Sequence, residues 1–528
     1  MGRVEHSKRP EFLEWLRGLG TVVETHGSWV VLSLDQALKF KKPVDLGFLD
    51  FSSREKRQAL CQREVELNRR LAPNVYRSVL PLYWGPGGYT LGQEGVPAPA
   101  AGDLELVDHA VAMRRLGEDL RADVLLARGQ LDGAHLRRLA RRLVDFHASL
   151  TNDPAVAAFG SAEAVAGNVR ENFDELEPLA HDVLLPAEWQ TLQAAQLDFL
   201  RQRTALFEAR VQGGHVRDGH GDLRLEHVYF EGDDVLVVDC IEFNDRFRFA
   251  DTALDTAFLS MDLRHCGRAD LAEDFLAEVA MRSGDYEAYA LTDFYESYRA
   301  TVRGKVAAFR ESQLGRSTPA ASVVHHEARA FLLQALASLA KKPEPQLICM
   351  GGLIASGKST LARAIASELH CPHLDSDGTR KRLHGVDPWT PLISAPFVAA
   401  YTAAETERTY ARLRELARIV LLSGRAVVVD ASFRTSQLRQ SFVELGEQTG
   451  CRVTFVECHA SETVTEQRLH RRAESASRSD GRLATLAAFR DAYESIADGE
   501  LPRLLRCDTS GSDDGARDQV LRFLASTS

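Results

Sequence analysis

The chain has 528 residues, 45% of them hydrophobic and 26% charged, and a formal net charge of −11, which exceeds one core, excludes a disordered or fibrous chain and argues against a long nucleic-acid groove. Its eight cysteines (Cys61, Cys240, Cys266, Cys349, Cys371, Cys451, Cys458, Cys507) form no close pair with metal-ligand spacing. No segment approaches the roughly 18 apolar residues of a membrane span and no apolar stretch follows Met1–His6, so the chain reads as cytoplasmic, reduced and off the membrane.

In chain order, Glu11–Leu19 reads as a helix, and Trp29-Val30-Val31-Leu32 as an apolar strand. Ala37-Leu38-Lys39-Phe40-Lys41 alternates strictly, which places both lysines on one face of a strand. A helix is expected over Arg57–Leu71. Val79–Gly92 suits a hairpin turned at Gly85-Pro86-Gly87-Gly88, and Ala110–Met113 another strand. From Leu131 the pattern turns helical, with Leu136, Leu139, Leu143 and Phe146 on one face, and helical periodicity dominates again from Leu254 to Leu339. Strands first and helices later describe an α+β body with a small lobe over about 1–115 and a large lobe over about 116–340. Lys341-Lys342-Pro343-Glu344-Pro345 is a short, stiff linker, and 346–528 forms a second domain.

Within the first unit, His220-Gly221-Asp222-Leu223 precedes the strand-like Val228-Tyr229-Phe230, and Val235-Leu236-Val237-Val238 runs into Asp239-Cys240-Ile241-Glu242. Two carboxylates on short loops around a hairpin suit phosphoryl transfer: one accepts the proton of a substrate hydroxyl while the other holds magnesium. Helix capping and turn formation are the alternative roles for each.

The second unit carries the strongest signal. Gly352-Leu353-Ile354-Ala355-Ser356-Gly357-Lys358-Ser359 has the full phosphate-loop spacing, with Thr360 following into a helix. The apolar run Leu347–Met350 precedes it, and Leu361, Ile365 and Leu369 recur after it at helical spacing. Backbone N–H groups and the positive helix end face the phosphates in such a loop. Lys358 is then placed to reach the outer phosphates of ATP and Ser359 to ligate Mg2+. His373-Leu374-Asp375-Ser376-Asp377 reads as a second strand ending, with Arg380 on the same helix face as Asp377. Arg425-Ala426-Val427-Val428-Val429-Asp430 reads as a third. Ligands of open parallel sheets bind at the carboxyl ends of strands, so the loop, Asp377 and Asp430 converge there. Asp377 is the candidate base, Arg380 its cation, and Asp430 a magnesium ligand through water; Asp375 and Asp377 are also good helix caps. Arg468, Arg471 and Arg472, followed by the polar Ser475–Gly481, suit a lid whose Arg468 and Arg472 close over the triphosphate, although a solvated basic helix face has the same pattern.

Through His220-Gly221-Asp222 and the strand-end Asp239, the first unit resembles the aminoglycoside phosphotransferase family, a branch of the protein-kinase-like fold. Thr25-His26-Gly27-Ser28-Trp29-Val30, Lys41–Asp50 and Glu242-Phe243-Asn244-Asp245 extend the likeness to bacterial bifunctional phosphotransferase/ATP-binding proteins over nearly the whole chain. The resemblance implies that Asp222 is catalytic and Asp239 binds magnesium. It also implies a strand lysine, Lys39 or Lys41, paired with a helix glutamate, Glu64. One position departs from it: His227 stands where the family pattern has a magnesium-binding Asn, and magnesium prefers hard oxygen ligands. The Asp377/Arg380 spacing and the arginine lid make the last third of the chain similar to phage polynucleotide kinase, zeta toxins and gluconate kinase, P-loop kinases with a parallel sheet.

The expected function is an ATP-dependent phosphotransferase acting on a hydroxyl of a small molecule, a sugar or a nucleotide end. Catalysis is placed first in the P-loop domain. The other readings are two active units working on two acceptors or in succession, a non-catalytic first unit controlling a nucleotide switch, and a nucleic-acid 5′-hydroxyl kinase. Neither the acceptor nor the oligomeric state can be read from the residues.

Overall fold

The computed structural model describes residues 9–45, 47, 49–93, 104–314, 318–342, 344–388, 402–473 and 486–526, the side chains of 471–473 and 488 excepted. The chain forms two compact units, Met1–Leu263 with Lys305–Ala328, and Arg264–Gly304 with Arg329–Ser528.

The first unit opens with the helix Pro10–Leu19 and the strands β1 (Thr21–Glu24), β2 (Ser28–Leu32), β3 (Gln36–Lys41), β4 (Tyr76–Gly85), β5 (Gly88–Leu91) and β6 (Glu105–Arg114). They form a sheet in the order β1-β2-β3-β6-β4-β5, antiparallel throughout. Gly85 pairs with Gly88 across the expected hairpin turn. Phe12 and Leu16 of the first helix pack on Trp29, Val31 and Phe40 on one face of this sheet. On the other, Cys61 and Val65 of the helix Arg54–Arg69 pack on Ala37, Val111 and Met113. Ser53 caps that helix by accepting from the Lys56 N–H, as a serine at this position does well. A helical lobe follows, and its helix Gly133–Ser149 buries Leu136, Leu139, Leu143 and Phe146, the stripe expected from sequence. Two small two-stranded antiparallel sheets stand in it: β7 (Val216–Asp218) with β10 (Phe249–Asp251), and the hairpin β8 (Val228–Glu231) with β9 (Asp234–Val237). This is an α+β architecture, an antiparallel sheet followed by a helical lobe.

The second unit is an α/β P-loop fold. Its strands β11 (Gln346–Gly351), β12 (His373–Asp375), β13 (Val427–Asp430), β14 (Arg452–His459) and β15 (Leu504–Asp508) form a parallel sheet in the order β12-β13-β11-β14-β15. Leu347, Cys349, Val427, Val429 and Phe455 face one core, and Ile348, Met350, Val428 and Val456 the other, so the central strands β11, β13 and β14 are apolar on both sides, as buried parallel strands are.

The unit does not begin at the linker. Leu276, Ala280, Tyr286 and Tyr289 share a core with Leu347, Val427 and the helix Ala403–Leu422. Arg425, at the entrance to β13, is buried and donates to Glu273 through Nε at 2.9 Å and to Asp293 through Nη2 at 2.9 Å. Lys342 of the linker donates to the same Asp293 at 2.6 Å. A guanidinium taken out of water requires carboxylate partners, and the partners come from 264–304. The division between the units therefore falls inside the helix Tyr289–Leu314, whereas the Pro-rich pattern suggested it at 341–345. Pro343 of that linker, with Leu46 and Phe48 of the first lobe, lies outside the described residues.

Candidate functional site

The P-loop site is built at the carboxyl end of the parallel sheet. Gly351 of β11 leads into a loop whose φ angles at Gly352, Ala355 and Gly357 are 127°, 58° and 81°. A side chain at Gly352 would have its Cβ 2.2 Å from the Cys458 carbonyl oxygen, so only glycine fits. Gly357 caps the helix Lys358–Glu368. Lys358 Nζ donates to the Leu353 carbonyl at 3.3 Å, folded back over the loop. Ile354 and Ala355 pack on Leu469 and Leu486, so the helix Glu462–Ala473 is docked on the loop by an apolar contact. From that helix Arg468 donates to the Ala355 carbonyl at 3.3 Å and to the Thr509 carbonyl at 2.6 Å. Arg468 thus stands beside the loop as a brace. The side chains of Arg471 and Arg472, and residues 475–481, lie outside the described residues.

Register brings the carboxylates together. Met350, Asp430 and Asp375 align across β11, β13 and β12. Asp430 is 3% exposed, and its Oδ1 has no hydrogen-bond partner among the described residues. His373 Nε2 lies 3.6 Å from its other oxygen. Burial opposes ionisation of Asp430, but His373, Lys358 and Ser359 beside it hold its pKa below the usual carboxylate range. A buried, ionised carboxylate with an orphaned oxygen next to the Ser359 hydroxyl suits a hard divalent cation. Ser359 and Asp430 are therefore the residues that fit magnesium.

Asp375 is the helix cap, accepting from the Gly378 N–H at 2.5 Å. That leaves Asp377 in the first turn of the helix Ser376–Leu383, half-buried, with Arg380 buried one turn on. Two side chains that sequence reasoning passed over stand near Arg380. Tyr410 accepts from the Phe433 N–H at 2.8 Å, and burial raises its pKa against the pull of Arg380 and Arg434. Burial lowers the pKa of Arg434, with Tyr410 opposing and Arg380 adding to the effect. Arg434 sits just past Phe433, whose φ of 47° turns the chain after β13. An arginine four residues beyond a strand-end aspartate was a faint signal.

In the first unit, the loop His220–Asp222 is held by Asp255, which accepts from the His220 N–H at 2.8 Å and the Gly221 N–H at 2.9 Å. His220 Nε2 donates to the Val238 carbonyl at 3.0 Å and its Nδ1 accepts from the Asp222 N–H at 3.3 Å, so this histidine orients the loop. Asp239 has a φ of 62° and its N–H is taken by the Tyr76 hydroxyl at 3.1 Å. Lys39 Nζ lies 2.7 Å from Asp239 and 2.9 Å from Glu64. Lys41 Nζ lies 2.7 Å from Glu64 and also pairs with Glu242. Both candidate lysines thus reach the helix glutamate, and they divide the work: Lys39 faces Asp239, while Lys41 is buried at 1% exposure. Glu242 was visible in the sequence only as part of a resemblance.

The model of an AAA domain matches residues 347–496. The uncharacterized protein Rv2004c of Mycobacterium tuberculosis (strain ATCC 25618 / H37Rv) is 34% identical over 472 residues, 89% of this chain and 90% of that one. The chain belongs to the family of that mycobacterial protein. Among solved structures, a choline/ethanolamine kinase family protein from Mesorhizobium loti is 13% identical, covering 63% of this chain and 96% of its own with a TM-score of 0.34. A gluconokinase from Sinorhizobium meliloti 1021 is 24% identical, covering 35% of this chain and 94% of its own with a TM-score of 0.26. No described helix of the family member studied here is long and apolar enough to cross a membrane.

Proposed function

We propose that the second unit is an ATP-dependent phosphotransferase acting on a hydroxyl group. The observation that carries this reading is the juxtaposition at one sheet edge of the phosphate loop with Lys358, the buried Asp430 with its orphaned oxygen, and the Asp377–Arg380 helix turn. The loop N–H groups and Lys358 hold the triphosphate of ATP. Bound magnesium, held by Ser359 and Asp430, supplies charge neutralisation at the phosphates. Asp377 accepts the hydroxyl proton as the acceptor oxygen forms its bond to the terminal phosphorus, and the bond from that phosphorus to the bridging oxygen breaks to release ADP. Arg380 balances the transferred charge, and Arg468 keeps the loop in place. Arg380 is one of the groups that lower the pKa of Arg434, and two arginines so near each other suit an acceptor that itself carries negative charge, such as a sugar acid or a phosphorylated alcohol.

The test is a phosphate-transfer screen of the whole chain against neutral and anionic alcohols, sugars, nucleosides and oligonucleotide ends. Lys358→Ala is expected to lower turnover by about 10²-fold or more, the scale for removing one electrostatic stabiliser of the transition state. Turnover that stays undiminished in Lys358→Ala and in Lys358→Ala/Asp222→Ala alike refutes the reading.

A further inference from the structure

We propose that the first unit is silent in phosphoryl transfer and takes no magnesium at Asp239, because each of its two reaction-centre carboxylates is held by a cation of its own chain. A transferring centre of this architecture needs a carboxylate able to accept a proton, and oxygen ligands that converge on a divalent cation. Asp222 is chelated by Arg224, whose Nε and Nη2 each lie 3.0 Å from one of its carboxylate oxygens. Bidentate pairs of this kind are the strong ones, and Arg224 is nearly buried, with 12% of its side chain exposed. The pair comes from local geometry: the two residues stand two apart, before the short helical turn Leu225–His227.

The second carboxylate is matched in the same way. Lys39 places its ammonium 2.7 Å from Asp239 Oδ1. The chain can spare this lysine, since Lys41 supplies a second strand-to-helix pair with Glu64. Two lysines at i and i+2 of β3 share one glutamate, and the outer one is turned to Asp239.

His227 completes the change. Its Nδ1 lies 2.8 Å from the Asp222 carbonyl oxygen, so Nδ1 carries the proton and donates. Its Nε2 then bears the lone pair, which accepts from Arg224 Nη2 at 3.2 Å. The only nitrogen of His227 able to ligate a metal is therefore occupied by a guanidinium proton. It also lies 3.7 Å from Asp239 Oδ2, whereas direct metal ligands lie about 2.0–2.6 Å from the ion. Arg224 thus disables both the proton acceptor and the position where the family pattern has Asn, and Lys39 stands against the remaining ligand. The residues present do not fit the magnesium that the resemblance implies.

The experiment uses the whole chain carrying Lys358→Ala in a background of Asp430→Asn, so that the P-loop site loses both its lysine and its magnesium ligand, and a fluorescent trinitrophenyl ATP analogue as probe. Binding of the probe is expected to be the same within about twofold in EDTA and in magnesium, or to be absent in both. ATP hydrolysis in magnesium is expected to equal that of the same chain with Asp222→Ala added. A tenfold tightening by magnesium, or hydrolysis that Asp222→Ala abolishes, overturns the proposal. Adding Arg224→Ala and His227→Asn to the Lys358→Ala/Asp430→Asn chain is expected to create magnesium-dependent probe binding. The thermal melt is the control: a folded variant without that gain overturns the roles given to Arg224 and His227. Failure here is distinct from failure of the P-loop reading. Residual hydrolysis lost with Asp222→Ala counts against the silent first unit, while hydrolysis that survives both Lys358→Ala and Asp222→Ala counts against the P-loop catalyst.

Discussion

Asp430 and Asp239 invite comparison. Each follows an apolar strand, and each reads from sequence as a magnesium ligand. In the second unit Asp430 is buried with one oxygen that has no hydrogen-bond partner among the described residues, and its cationic neighbour Lys358 belongs to the phosphate loop. In the first unit Asp239 is met by Lys39 at 2.7 Å, and Asp222 by Arg224. Burial raises the pKa of Asp239, but Lys39, His227 and Arg224 outweigh it and hold the group well below the usual carboxylate range. A carboxylate at a strand end thus becomes a ligand position or one half of an internal ion pair according to the cations that other segments deliver. Side-chain chemistry is the same in both places; the partners differ.

The largest expected effect concerns what the P-loop unit contains. A chain limited to 346–528 lacks Glu273 and Asp293, the partners of buried Arg425, and lacks Leu276, Ala280, Tyr286 and Tyr289 of its core. It is expected not to fold, as read by circular dichroism and limited proteolysis. Arg425→Ala in the whole chain isolates the polar part of this contribution. Glu273 and Asp293, both partly buried, then fall back on Arg264 and Lys342, and the loss is about 1–3 kcal/mol, to be measured by urea unfolding. If 346–528 folds and turns over ATP, segment 264–304 is an ornament on that unit rather than a part of it.

Next in size is Asp430→Asn, which sharpens the contrast between the two strand ends. It is expected to lower whole-chain turnover by about 10²–10³-fold with the fold intact, and to weaken the magnesium dependence of ATP binding measured by calorimetry. The counterpart Asp239→Asn leaves Lys39 paired with Glu64, and, because the Asp239 side chain is about half exposed, is expected to lower the stability of the first unit by about 1 kcal/mol or less in thermal melts. Equal effects on turnover from the two substitutions would erase the distinction between the sites.

Gly357→Ala is smaller. A left-handed φ of 81° costs a non-glycine residue about 1–2 kcal/mol. The added Cβ would also lie 2.8 Å from Thr509 Oγ1 and 3.0 Å from Arg468 Nη1. Weaker ATP binding with little change in secondary structure is expected by calorimetry and circular dichroism.

The smallest effect is on pH dependence and concerns the first unit. Burial pushes the His220 pKa down to about 4, and burial also lowers that of His227. An unfolded histidine titrates near about 6.5. Between these values the unfolded chain binds protons that the native chain does not, so stability is full above about pH 6.5 and falls as the pH drops toward about 4. Calorimetric melts across that window check this, and a flat response would show that these imidazoles are solvated in the native state.

Much of this architecture was legible in the residues. The glycine positions of the phosphate loop, the stripe Leu136–Phe146 and the alternation around Lys39 and Lys41 each report a local rule: a left-handed φ, a helical period and a strand period. The aspartates at strand ends were visible for the same reason. Asp375 and Asp377 were ambiguous because a helix cap and a catalytic base look alike in one dimension, and only the hydrogen bond from the Gly378 N–H separates them. Arg425 and Glu273 are 152 residues apart, and Lys39 and Asp239 are 200 apart, so no periodicity could pair them. By itself the sequence determined the phosphate loop, the strand-then-helix order and the identity of the acidic groups, because those follow from backbone preferences over a few residues. Only the tertiary structure decided that 264–304 belongs with the parallel sheet, and which carboxylates meet a cation of their own chain, because charge compensation in a buried site depends on distance in space and not on distance along the chain.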